Sequence, residues 1–170
     1  MSGAEAPILA AGDGPVILHA SCVALPGPSG APLAALILGP SGAGKSTLAL
    51  DILSRGGILV SDDRTRVRRD GGRLLAACPS PAHRGLIEAR GVGLLRVPAL
   101  EEAEAVLVVD LSAAEGDRLP PPRRALLLGR ALPRILGAAG DRAGTAPFGP
   151  PALAAAVALL LRGGGAPEPV

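Results

Sequence analysis

The chain has 170 residues, 48% of them apolar and 19% charged, with a net charge of +2 at neutral pH. That balance describes one globular domain with a single sizeable core and excludes a disordered chain. The small net charge, the single Phe and the lack of Tyr and Trp argue against a nucleic-acid binder, which needs a basic face and stacking platforms.

Cys22 and Cys78 have no metal or redox spacing, and read as small thiols in a reducing cytoplasm. No basic segment followed by an apolar run opens the chain, and the longest apolar run, 152–161, is too short to span a bilayer. A soluble, cytoplasmic protein is expected. A flexible N-terminus is expected over 1–14 and a disordered tail over 163–170, leaving 15–162 as the folded domain.

In chain order, 16–25 reads as a strand that carries His19. A Pro- and Gly-rich loop follows at 26–32, and 33–38 reads as a second strand, antiparallel to the first. The second strand runs into Gly39-Pro40-Ser41-Gly42-Ala43-Gly44-Lys45-Ser46, followed by Thr47. This fits the phosphate-loop pattern G-x-x-x-x-G-K-[ST], with the strand before it and the helix after it that the pattern requires. The glycines let successive backbone N–H groups face one anion, and the helix start adds its positive dipole end. Lys45 would reach the outer phosphates, and the Ser46 hydroxyl would hold Mg²⁺. Lys45 is also the only lysine; every other one of the seventeen basic Lys and Arg side chains is an arginine. An arginine fork cannot replace a compact ammonium inside a tight phosphate loop.

The helix is expected to end near Arg55-Gly56-Gly57. The apolar strand 58–60 leads to Ser61-Asp62-Asp63, where acids at the end of a buried strand lie at the ligand-binding edge of an α/β sheet. Adjacent acids on an extended chain point opposite ways, so one would serve the metal or acceptor while the other anchors the loop. Asp70-Gly71-Gly72 signals a hairpin between 64–69 and 73–77, with Arg66, Arg68 and Arg69 on a solvated strand face. Segment 86–97 shows no clean helix period and reads as a strand or loop beside the nucleotide. The stretch 100–105, with three glutamates, reads as a short helical turn. Residues 106–111 form a second buried strand ending in Asp110, a further candidate acid. A Pro-rich connection spans 112–124, short strands are expected at 126–128 and 135–136, a loop at 137–151, and a terminal helix at 151–162. Phe148 is the one aromatic surface a base could meet.

Taken in order, these pieces resemble the HPr kinase/phosphorylase family. The match rests on His19 before the loop, Gly39 to Ser46 with Thr47-Leu48-Ala49-Leu50, Ser61-Asp62-Asp63-Arg64, and Ile87-Glu88-Ala89-Arg90-Gly91-Val92-Gly93-Leu94-Leu95. It covers roughly 16–111, and the chain looks like the family's short form, with the catalytic domain only. The resemblance implies an α/β fold with a phosphate-loop kinase-like core, a mixed sheet, antiparallel hairpins and flanking helices. It implies an ATP-dependent serine kinase of the phosphocarrier protein HPr, which also removes the phosphate by phosphorolysis, and a hexameric assembly. By the same resemblance Asp63 is the base, Lys45 and His19 contact phosphates, and Ser46 and Glu88 hold Mg²⁺; Asp62 stands close enough to share the role of Asp63. The family's C-terminal arginine segment tied to phosphorolysis has no clear match, although Arg130 or Arg134 occupies that region. Two other readings stand beside this one. A non-catalytic ATP-sensing module needs Lys45 and Ser46 but no base, and a small-molecule kinase of the phosphate-loop class needs an arginine lid on a helical insert.

Overall fold

A computed structural model describes residues 6–138 and 152–167. The chain runs β1 (Ile8–Ala10), β2 (Val16–Leu18), β3 (Ala20–Pro26), β4 (Pro32–Leu38), α1 (Lys45–Ser54), β5 (Ile58–Ser61), β6 (Thr65–Asp70) and β7 (Arg73–Ala77). A 3₁₀ turn (Pro81–His83) leads to β8 (Leu86–Ala89), β9 (Gly93–Arg96), β10 (Glu102–Asp110), β11 (Arg123–Leu127), β12 (Arg130–Leu136) and α2 (Leu153–Arg162).

Ten strands make one mixed sheet in the order β1-β11-β12-β10-β4-β3-β5, with β7, β6 and β2 branching from β10. The long β10 explains the branch: its first half pairs with β7 and its last residues with β12, while β4 lies parallel along its other edge. β3 is antiparallel to both β4 and β5, and β8 and β9 form a separate hairpin. This is the expected phosphate-loop kinase-like α/β core.

Both faces of the central strands are covered, which is why they read as unbroken apolar runs. On one face Val23, Leu25, Ala35, Ile37, Leu107 and Val109 meet Leu48 and Ile52 of α1 and Val157 and Leu161 of α2. On the other face Cys22, Ala24, Leu36 and Val108 pack against Val67, Leu74 and Leu127, from strands that curl over the sheet. Each fully buried leucine such as Leu161 contributes about 1.5–3 kcal/mol.

The structure departs from the expected elements in four places. Residues 16–25 do not form one strand. The chain bends at His19, so that β2 pairs with β6 while β3 stays with β4. The glutamate-rich 100–105 is not helical: Ala103 and Ala105 are buried in alternation with Glu102 and Glu104, a strand period that tertiary pairing enforces. The expected short strands lengthen into the β11–β12 hairpin, closed by Leu128 and Gly129 at φ 48° and 73°. Pro133 is tolerated because it precedes the part of β12, from Arg134, that pairs with β10. Finally Ile8–Ala10, within the stretch expected to be flexible, pairs with β11. Most of the expected loop 137–151, with Phe148, lies outside the described residues.

Candidate functional site

The loop between β4 and α1 turns on three glycines with positive φ: Gly39 at 153°, Gly42 at 82° and Gly44 at 94°. Gly39 is also tightly enclosed; a Cβ there would stand 3.0 Å from Leu111 Cβ and 3.1 Å from Ala43 Cβ. Lys45 is buried, and its Nζ donates to the carbonyls of Gly39 at 3.0 Å and Pro40 at 3.1 Å. Ser46, the second residue of α1, points its hydroxyl at the end of β5. It donates to Asp62 Oδ1 and Oδ2 at 2.9 and 3.1 Å.

Asp62 joins three elements. Besides Ser46, it accepts a bond from Ser21 Oγ of β3 at 2.6 Å and one from the Glu88 backbone N–H of β8 at 3.1 Å. Asp63 turns away from this cluster. It sits at φ 64° at the centre of a γ-turn closed by the Arg64 N–H donating to the Asp62 carbonyl at 2.7 Å. The turn is pinned further by Ser61 Oγ donating to the Arg64 carbonyl and by Thr65 Oγ1 donating to the Ala20 carbonyl at 2.8 Å. Asp63 Oδ1 meets His19 Nε2 at 2.8 Å, at the bend between β2 and β3. His19, Asp63 and Arg64 line an open cleft with Ile17 and Leu18, of about 330 Å³.

The two neighbouring acids therefore point apart, but through the γ-turn and not through the alternation of an extended chain, and their partners differ: Asp62 faces the loop and Asp63 faces the cleft. Glu88 reaches Asp62 through its backbone, and its side chain is exposed. The segment 86–97 is thus a hairpin beside the site. Asp110 ends a strand next to the loop but is engaged elsewhere. Arg134 donates to its Oδ2 through Nε at 3.0 Å and through Nη2 at 2.6 Å, and the Ser112 amide and hydroxyl donate to its Oδ1. Burial alone would raise the Asp110 carboxyl, but Ser112 and Arg134 outweigh it and hold the group below the usual carboxylate range. Arg68 of the basic hairpin is paired with Glu102, while Arg66 and Arg69 are exposed.

Sequence reasoning missed Ser21. It is the one polar member of the buried row Ser21, Val23, Leu25 on β3, and a hydroxyl interrupting such a row was the available signal.

A Ser hydroxyl and a carboxylate in contact at the end of a glycine loop fit a hard cation that takes its remaining oxygens from substrate phosphate and water. Among the described residues no three His, Cys, Asp or Glu side chains cluster as a metal cage. No helix among the described residues is long and apolar enough to cross a membrane.

The fold and this loop define a phosphate-loop kinase-like α/β domain. The family model described as the HPr Serine kinase C-terminal domain matches residues 17–110, and the chain belongs to that family. Curated relatives described as HPr kinase/phosphorylase include those of Alkaliphilus metalliredigens and Shouchella clausii. The first is 39% identical over 83 residues, which are 45% of this chain and 27% of the relative. The second is 44% identical over 71 residues, 42% of this chain and 23% of the relative. The chain spans about a quarter of the length of these relatives. A solved structure of the Hpr(Ser) kinase/phosphatase from Coxiella burnetii is 27% identical, with a TM-score of 0.61 over 76% of this chain and 82% of that one.

Proposed function

We propose that this chain is the catalytic domain of an ATP-dependent kinase that phosphorylates a serine of the phosphocarrier protein HPr and also removes that phosphate by phosphorolysis. The observation that carries the proposal is the division of labour between the two acids. Asp62 bonds to Ser46 of the glycine loop, while Asp63 faces a cleft open to a second molecule. In this reading the amides of Gly42 to Thr47 and the Lys45 ammonium hold the outer phosphates of ATP, and Ser46 and Asp62 hold Mg²⁺ with Glu88 alongside. Bound there, Mg²⁺ would neutralise charge on the phosphates. Asp63 accepts the proton of the acceptor serine as its oxygen bonds to the γ-phosphorus and the bond to the β-phosphate oxygen breaks, releasing ADP. His19 holds Asp63 towards the cleft. In reverse Asp63 returns the proton to serine while inorganic phosphate takes the phosphoryl group and leaves as pyrophosphate.

The test is incubation of the chain with labelled ATP, Mg²⁺ and purified HPr, followed by mapping of the label. Label on one serine, and pyrophosphate on incubation of phospho-HPr with phosphate, are expected. Tight Mg²⁺-dependent ATP binding with HPr left unlabelled would instead favour an ATP-sensing module.

A further inference from the structure

Ser21 is wholly buried on β3, where its neighbours on the same face are Val23 and Leu25. An aliphatic side chain would serve packing there, and a buried hydroxyl is a net loss unless a partner satisfies it. Its partner is the Asp62 carboxylate, 2.6 Å away, within the short range of a charge-assisted O–H···O⁻ bond. With its one proton committed to Asp62, Ser21 Oγ has only lone pairs left, and towards these the Asp63 amide donates at 3.4 Å. One hydroxyl thus touches the carboxylate of the first acid and the backbone of the second.

The remaining contacts of Asp62 show why this matters. Ser46 has a single proton placed between both carboxylate oxygens, at 2.9 and 3.1 Å. A shared bond of that kind does not fix the rotation of the carboxylate. Ser21 on Oδ1 and the Glu88 N–H on Oδ2 hold the two oxygens separately, and together they set its plane. Once the Ser46 oxygen turns to a cation, those two donors are what keeps Asp62 oriented.

We infer that Ser21 is a positioning residue for the metal–nucleotide site: it orients the Asp62 carboxylate towards Ser46 and steadies the γ-turn that aims Asp63. The inference rests on the Mg²⁺–nucleotide reading of the loop, but not on HPr being the acceptor. Its test is the Mg²⁺ dependence of binding of a fluorescent ATP analogue to the chain and to three variants. Ser21→Ala removes the donor. Ser21→Cys keeps nearly the same volume with a weak donor, and Ser21→Thr keeps the hydroxyl. Loss of a group that orients a metal ligand typically costs about 10–100-fold in metal affinity or activity. An increase of about tenfold in the Mg²⁺ concentration for half-saturation is therefore expected in Ser21→Ala and Ser21→Cys, with nucleotide binding in EDTA unchanged and Ser21→Thr close to wild type. With HPr as acceptor, kcat should fall in the same two variants while KM for HPr holds. A Ser21→Cys titration that overlays the wild-type curve overturns the inference, as does a Ser21→Cys chain that fails to fold, because the role is then packing. A wild-type chain that binds Mg²⁺–nucleotide yet never labels HPr removes the kinase reading, while the shift in the binding curve still supports Ser21. A wild-type chain without Mg²⁺-dependent nucleotide binding overturns both.

Discussion

Asp62 and Asp63 are consecutive, yet the γ-turn sends one carboxylate to the glycine loop and the other to His19. Substituting the second should therefore separate chemistry from binding. Asn tolerates positive φ as Asp does, so Asp63→Asn can keep the 64° conformation and still bond to His19. What it loses is the capacity to take a proton from serine. Transfer should fall by about 10²–10⁴, with nucleotide affinity unchanged by calorimetry. Transfer at the wild-type rate would remove Asp63 as the base. At this scale most of the candidate site was legible, because Lys45, Ser46, Asp62 and Asp63 are distinctive side chains at fixed places around a recognisable loop. Ser21 was not: a serine in a strand is ordinary until the fold brings Asp62, forty-one residues later, against it.

The helix α1 joins the loop to the core, and its far end is closed by glycine chemistry. Gly56 takes φ 91°, its N–H donates to the Leu53 carbonyl at 3.1 Å, and the Gly57 N–H donates to the Ile52 carbonyl at 3.1 Å. This is the Schellman pattern, which satisfies carbonyls that the helix leaves open. Gly56→Ala forces a Cβ into the left-handed region at a cost of about 1–2 kcal/mol, which lowers the thermal midpoint by on the order of 5 °C. The Mg²⁺ dependence of nucleotide binding should not move, since Ser46 lies at the opposite end of the helix. An unchanged midpoint would contradict the cap. This helix, the strand before its loop and the β6–β7 hairpin were readable because their turns carry Gly and Asp where turn geometry demands them. The β11–β12 hairpin was harder to read. Leu128 holds φ 48° while fully buried, so core packing supports a backbone that a leucine signal alone would argue against. The strand at Glu102–Asp110 was half hidden for a related reason. Its outward glutamates suggest a helix locally, and only Arg68 on the neighbouring hairpin, paired with Glu102, shows why charge belongs there.

For the molecule as a whole, acid stability should depend on the pair that ties β10 to β12. The side chains of Arg134 and Asp110 are 19% and 10% exposed, and the Asp110 carboxyl is held below its ordinary value of 3.8. A lowered folded-state value means that the stabilisation is fully present above about pH 4. It is lost as pH falls through the lowered value, because the unfolded chain then binds the proton more readily. Removing one partner of a largely buried pair costs about 3 kcal/mol. Arg134→Gln should thus unfold at lower urea than the wild type at pH 7, and the gap should narrow at pH 3. An equal gap at both values would show that Asp110 contributes nothing to the acid limb. The same chain has one lysine among its seventeen basic side chains, and the loop's own carbonyls hold that amine. Apart from the N-terminal amine, amine-selective reagents therefore have a single amine on the chain, and a lysine-specific protease has a single bond, Lys45–Ser46, in the first turn of α1. Acylation or cutting there reports the opening of the glycine loop and the start of α1, by local or global unfolding, read as one mass change or two fragments.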